Sequence, residues 1–109
     1  MDKEPQWIKI AEDDFELDFG QNNIATIKVE GKKICITRTM GTLKACAAMC
    51  PHAGGNLSKG FIGANGNIIC PVHHYRFSLN TGMDSLGEGY RLKIYSLKQN
   101  EDGIFINIE

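Results

Sequence analysis

Two short boxes, Cys50-Pro51-His52 and Cys70-Pro71-Val72-His73, constrain this chain more than anything else in it; seventeen residues separate His52 from Cys70. Only three histidines occur, His52, His73 and His74, and all fall within residues 50–74 together with two of the four cysteines. Thiolate and neutral imidazole bind borderline-soft metals, and spacings of one and two residues let each box close on a metal as a tight chelating loop. The clustering predicts a metal site held by loops.

The rest of the chain reads as β structure. Residues 24–30 alternate, with Ala25, Ile27 and Val29 on one face, which is the period of a half-buried strand. A two-residue turn at Gly31-Lys32 then pairs Val29 with Ile34 and Ile27 with Ile36 across a strand from Lys33 to Thr39. A second turn at Met40-Gly41 leads into residues 42–47 and sets Cys35 opposite Cys46. Opposed strand positions lie about 4.5–5.5 Å apart at Cα, a span a disulfide can bridge. In a reducing compartment the pair reads instead as two packed thiols.

Further strands are expected over residues 4–10, from Tyr75 through Phe77 to Leu79, from Tyr90 to Leu97 and from Gly103 to Ile108. The acidic stretch 12–18 reads as a loop or cap, and residues 99–103 as a turn. Residues 48–82, dense in Gly and Asn with a hairpin-like Asn65-Gly66, carry both boxes. Short strands without a long 3.6-period segment predict an all-β fold: an antiparallel β-sandwich or barrel base with a small inserted subdomain at about residues 48–82.

A length of 109 residues with 42% hydrophobic content suits one domain over residues 1–109. No stretch approaches the roughly 18 apolar residues of a membrane span. The N-terminus has neither a basic start nor an apolar run, so the expectation is a soluble, cytoplasmic protein without membrane contact. The net charge of −1 hides an asymmetry: residues 1–30 carry three Lys against eight acids, residues 31–100 nine Lys and Arg against two. Lys59 and Arg76 flank the boxes and can steer an acidic partner, an effect that salt weakens. Nucleic-acid binding is not expected, because no basic run with interleaved aromatics accompanies the charge.

Cys-x-His, a spacer of this order, then Cys-x-x-His resembles the Rieske iron–sulfur signature, with CPHAGGNLSKG similar to its first cluster loop and CPVHHYRFSLNTG to its second. The resemblance implies a [2Fe–2S] cluster in which Cys50 and Cys70 hold one iron, and His52 and His73 the other. It also implies the β base with a cluster-binding subdomain. For such an oxidised cluster, two ferric ions, two sulfides, two thiolates and two neutral imidazoles sum to zero charge, against −2 with four thiolates. Its potential is therefore raised, roughly into −150 to +300 mV, and the histidine-bound iron is the expected electron acceptor. Its ring N–H groups imply a potential that falls as pH rises above the oxidised-state pKa.

High-potential relatives carry an extra cysteine in each loop, joined as a disulfide, and cluster-facing Ser and Tyr hydroxyls. The matching positions here are Gly55 and Val72, Tyr75 and Phe77, which predicts the lower part of the range. Pro51 and Pro71 stiffen the loops. Gly54, Gly55 and Gly60 permit turns that side chains would obstruct, and Leu57 is expected to shield the cluster. His74, one residue past the ligand position, reads as a bystander facing solvent or a partner.

The resemblance implies a one-electron carrier, not a catalyst: a Rieske-type ferredoxin passing electrons from an NAD(P)H-dependent flavin reductase to a terminal oxygenase or similar acceptor. A terminal oxygenase also needs a mononuclear iron held by two histidines and a carboxylate, and only His74 remains. Two alternatives are a small subunit of an assimilatory nitrite reductase-like enzyme, and a structural Cys₂His₂ zinc module.

Overall fold

The computed structural model describes residues 6–52, 54–72 and 74–108. Its frame is a six-stranded antiparallel sheet built from β1 (Ile8–Ala11), β2 (Ile24–Val29), β3 (Lys32–Thr39), β4 (Thr42–Ala47), β8 (Ile94–Asn100) and β9 (Gly103–Asn107). Their spatial order is β1-β9-β8-β4-β3-β2. A groove lined by Ile8, Lys9 and Ile10 of β1 and by Ile27, Lys28 and Val29 of β2 lies between the two edge strands, so the sheet curls back towards itself.

Two hairpin turns set the register. Glu30 (φ 50°) and Gly31 (φ 81°) form the first, the left-handed pair of a type I′ turn. Val29 therefore faces Lys32, Ile27 faces Ile34 and Ala25 faces Ile36. This corrects the expected turn at Gly31-Lys32: the glycine takes the second central position, and Glu30 accepts the left-handed conformation at the first. The slip is by two residues, so every side chain keeps its face. The second turn, Met40-Gly41, is as expected and sets Cys35 directly against Cys46. Both are free, buried thiols; the adjoining Cys35 thiol and burial push the Cys46 thiol up.

Three other strand expectations shift. The first strand ends at Ala11 with an irregularity between Lys9 and Ala11; Glu4 and Pro5 lie outside the described residues. The strand expected from Tyr90 begins at Ile94 and runs to Asn100, because residues 86–90 are folded into a loop around Asp84. Its turn narrows to residues 101–102, where Asn100 Oδ1 accepts from the Asp102 N–H at 2.8 Å. The strand expected from Tyr75 to Leu79 pairs only at β7 (Arg76–Phe77), since Ser78 N–H turns to Met83 O and Gly82 N–H to Ser78 O.

Together with β5 (Phe61–Ile62) and β6 (Ile68–Ile69), β7 makes a small sheet of order β5-β6-β7 inside the 48–82 stretch. The acidic segment holds one 3₁₀ turn, Asp14–Glu16, capped by Asp13. Two cores result. Ala25, Val29, Ile34, Ile36, Ala45, Tyr95, Ile104 and Ile106 fill the inside of the curl. Cys35, Cys46, Leu57, Ile68, Phe77, Leu79 and Leu92 pack the large sheet against the small one. Strand β3 serves both, alternating Ile34 and Ile36 into one core and Cys35 into the other.

Candidate metal centre

Cys50 sits just past β4, where the strand runs out into a loop closed by its own backbone. Cys50 N–H donates to Gly55 O at 2.9 Å, Gly54 N–H returns to Cys50 O at 2.8 Å, and Leu57 N–H reaches Ala48 O at 2.8 Å. Asn56 caps the 3₁₀ turn Leu57–Lys59. Asn22, ahead of β2, donates from Nδ2 to Ser58 O and Gly60 O, both at 2.9 Å, and ties this loop to the frame. Cys70 follows β6, and its N–H donates to Tyr75 O at 2.8 Å to close the second loop. Both thiols are buried.

The two loops lock against each other. A Cβ on Gly55 would lie 2.9 Å from Cys70 Sγ and 3.0 Å from Val72 Cγ2, and one on Gly60 would lie 2.0 Å from Ile69 O. Neither position admits a side chain. Gly55 and Val72, the positions matched above to a bridging cysteine pair, are thus neighbours in space. Burial holds the Cys70 thiol above its ordinary value; the Val72 N–H, 3.4 Å from Sγ, opposes this, and the neighbouring Cys50 thiol reinforces it.

His52, from the first loop, stacks face to face on Tyr75 of the second, with ring centroids 3.7 Å apart and planes 7° from parallel. Its Nδ1 is buried. The ring of Tyr90 meets its edge at 5.0 Å. His73 lies outside the described residues, so three of the four predicted ligands can be placed, and these three belong to the two interlocked loops. His74 is exposed, as expected of a bystander; it adopts a left-handed φ of 56° and meets Phe61 edge-on at 6.1 Å. Leu57 is fully buried beneath the loops, in the same core as Cys50 and Cys70.

The residues fit a [2Fe–2S] group. Such a centre asks for two protein ligands at each iron rather than four on one ion, and two buried thiols meet at the loop junction with an N–H already aimed at one sulfur. Among the described residues no three His, Cys, Asp or Glu side chains gather as a metal-binding cluster. The Tyr75 hydroxyl, whose direction the sequence left open, donates to the Glu88 carboxylate. That bond pushes the phenol up to about 12. Glu88, Tyr90, Asp84 and Asn22 were not singled out from the sequence. Only the unusual pair of acids in a basic half, Asp84 and Glu88, offered a signal.

The family model described as the Rieske [2Fe-2S] domain matches residues 6–95. The chain is similar to the ferredoxin component of the naphthalene 1,2-dioxygenase/salicylate 5-hydroxylase systems of a Ralstonia species, 33% identical over 65 residues. That match takes in 60% of this chain and 62% of the relative, less than two thirds of its length. Among solved structures, it resembles a chain of the complex of reduced oxygenase and oxidized ferredoxin in carbazole 1,9a-dioxygenase, with TM-score 0.76, 21% identity and 94% of each chain covered. It equally resembles a protein described as an NADH-dependent nitrite reductase small subunit from Mycobacterium tuberculosis, with TM-score 0.79, 17% identity and 96% of each chain covered.

Proposed function

Because the chain belongs to the Rieske [2Fe-2S] domain family, we propose that it is a one-electron carrier of the ferredoxin type, with Cys50 and Cys70 holding one iron and His52 and His73 the other. The observation that carries this reading is the junction of the two loops, where the buried Cys50 and Cys70 thiols interact and Gly55 leaves no room for a side chain against Cys70 and Val72. When bound, the cluster supplies reversible acceptance of one electron.

The protein's own residues do the remaining work. Asn22 and the backbone bonds of each loop tie the segments bearing Cys50, His52 and Cys70 to the frame, which limits rearrangement on electron transfer. Val72 N–H, directed at Cys70 Sγ, favours the more negative reduced state. Tyr75 spends its hydroxyl on Glu88 rather than on a sulfur, and Phe77 has none, which supports a midpoint potential below zero. Val72 in the second cysteine loop, and Leu86 and Tyr90 in the loop whose Tyr90 meets His52, are exposed apolar residues, and Lys59 and Arg76 are exposed as well. These residues suit transient docking of a reductase and then of a terminal oxygenase. The related ferredoxin captured with its oxygenase supports that partner class.

Among the described residues no helix is long and apolar enough to cross a membrane. A cytoplasmic location belongs to this proposal: a reducing compartment would keep the directly opposed Cys35 and Cys46 as thiols. The likeness to a nitrite reductase small subunit favours a second reading, a fixed subunit of a larger reductase. One experiment separates them and tests the first. Reduced protein mixed with a Rieske-type oxygenase is expected to reoxidise within transient encounters; a stoichiometric, salt-resistant complex with a large flavin or haem partner, and no such reoxidation, would favour the subunit.

A further inference from the structure

Asp84 is the one buried acid among the described residues, and its carboxylate shapes a whole loop. Oδ1 accepts from the N–H groups of Leu86 and Glu88, each at 3.0 Å, and Oδ2 accepts from the N–H of Tyr90 at 2.9 Å. The backbone on either side is anchored to the small sheet: Asp84 bridges Phe77, and Ser85 N–H donates to Arg76 O at 2.9 Å. Two longer backbone bonds, Asp84 N–H to Tyr90 O at 3.3 Å and Gly87 N–H to Asp84 O at 3.4 Å, and a bridge between Met83 and Arg91 also close the loop. Leu86 is 66% exposed and Tyr90 36%, and Gly87 and Gly89 both take left-handed φ.

What this loop carries is directed at His52. Glu88 receives the Tyr75 hydroxyl. Tyr90 meets the edge of both His52, at 5.0 Å, and Tyr75, at 5.7 Å. The ring stacked on His52 and the ring at its edge are thus both held from residues 84–90.

We propose that Asp84 is a positioning residue that folds this loop so that Glu88 and Tyr90 clamp Tyr75 onto His52, closing an aromatic cover over the His52 side of the site against water and small solutes. The inference rests on the reading of His52 as a cluster ligand. A buried carboxylate matched to three backbone donors is a rigid hub, and the clamp it supports acts outside the ligands themselves, where orientation of a metal-bound imidazole is commonly fixed.

The test uses the cluster-loaded protein. Iron and sulfide are assayed first, and then the rate at which an excess of a small iron chelator bleaches the oxidised visible spectrum. Glu88→Ala, Tyr75→Phe and Asp84→Ala are expected to bleach about tenfold faster than wild type. Glu88→Gln, whose amide oxygen still accepts from Tyr75, is expected to stay near wild type. Amide exchange at Glu88 and Tyr90 is expected to accelerate in Asp84→Ala. If that variant does not fold, Asp84→Asn, which keeps one side-chain acceptor oxygen, is expected to accelerate exchange at Tyr90 above Glu88.

Equal bleaching in wild type, Glu88→Ala and Tyr75→Phe overturns the clamp. So does a Glu88→Gln variant that bleaches like Glu88→Ala, since lost charge alone would then be the cause. Unchanged exchange in both Asp84 variants overturns the role of Asp84. A wild-type chain without sulfide overturns the ligand reading and this inference with it, whereas a loaded wild type with unchanged variants overturns this inference alone.

Discussion

Single side chains decide whether a cluster is held at all. Cys50→Ser, Cys70→Ser, His52→Ala and His73→Ala are each expected to abolish bound sulfide. Cys35→Ser, Cys46→Ser and His74→Ala should retain it, as a sulfide assay of the seven variants would reveal; sulfide retained in His73→Ala and lost in His74→Ala would move the fourth ligand by one position. Asp84 carries a pH dependence. The Glu88 N–H foremost, with those of Tyr90 and Leu86, holds its carboxyl below the usual carboxylate range against the opposing effect of desolvation. A folded-state pKa below the unfolded value, about 3.9 for Asp, means the carboxylate contributes stability above that pH. This contribution is lost as pH falls through the folded value. Exchange protection at Glu88 and Tyr90, corrected for the intrinsic rate, is therefore expected to fall in acid below about pH 4, and Asp84→Asn to remove that dependence.

At the scale of elements, the turns and the buried supports of the loops matter most. Met40 is 98% exposed and left-handed, with φ 51°, at the first position of the β3–β4 turn. An L residue there carries strain of roughly 1 kcal/mol that Asn tolerates better. Met40→Asn is expected to raise stability by about 0.5–1 kcal/mol, seen as a rise of a few degrees in the melting temperature. Leu57 is fully buried between the frame and the cysteine loops. Leu57→Ala should destabilise the fold by about 2–5 kcal/mol and lower cluster occupancy, measurable by denaturant unfolding and iron content. A variant that kept full stability would mean the loop re-packs without it.

The elements also show what the sequence could and could not disclose. The Met40-Gly41 turn placed Cys35 against Cys46 correctly because a two-residue loop leaves one register. The Glu30-Gly31 turn was misplaced because its first central residue lacks the usual Asn, Asp or Gly. The boxes were legible because metal chelation is local in sequence. The Asp84 hub was not, since three backbone donors converge on one side chain only after Gly87 and Gly89 have bent the loop, and nothing periodic announces it. Asn22 likewise acts on Ser58 and Gly60 from far away in the chain.

For the whole molecule, a β frame holds two interlocked loops, and the proposed carrier role has their exposed side meet a partner. The basic half suits that proposal. Lys59→Glu together with Arg76→Glu is expected to slow electron transfer to an acidic partner at low salt, with the difference from wild type shrinking as ionic strength rises and the screening length falls to about 8 Å at 0.15 M. A salt-independent loss would point to a contact rather than to steering.

The central claim is the cluster itself. It is tested most directly by iron and acid-labile sulfide content of anaerobically purified protein, with the visible spectrum recorded before and after dithionite. Two irons and two sulfides per chain are expected, with a red-brown colour that bleaches partly on reduction. One zinc and no sulfide would contradict it and leave the same two loops as a structural metal module.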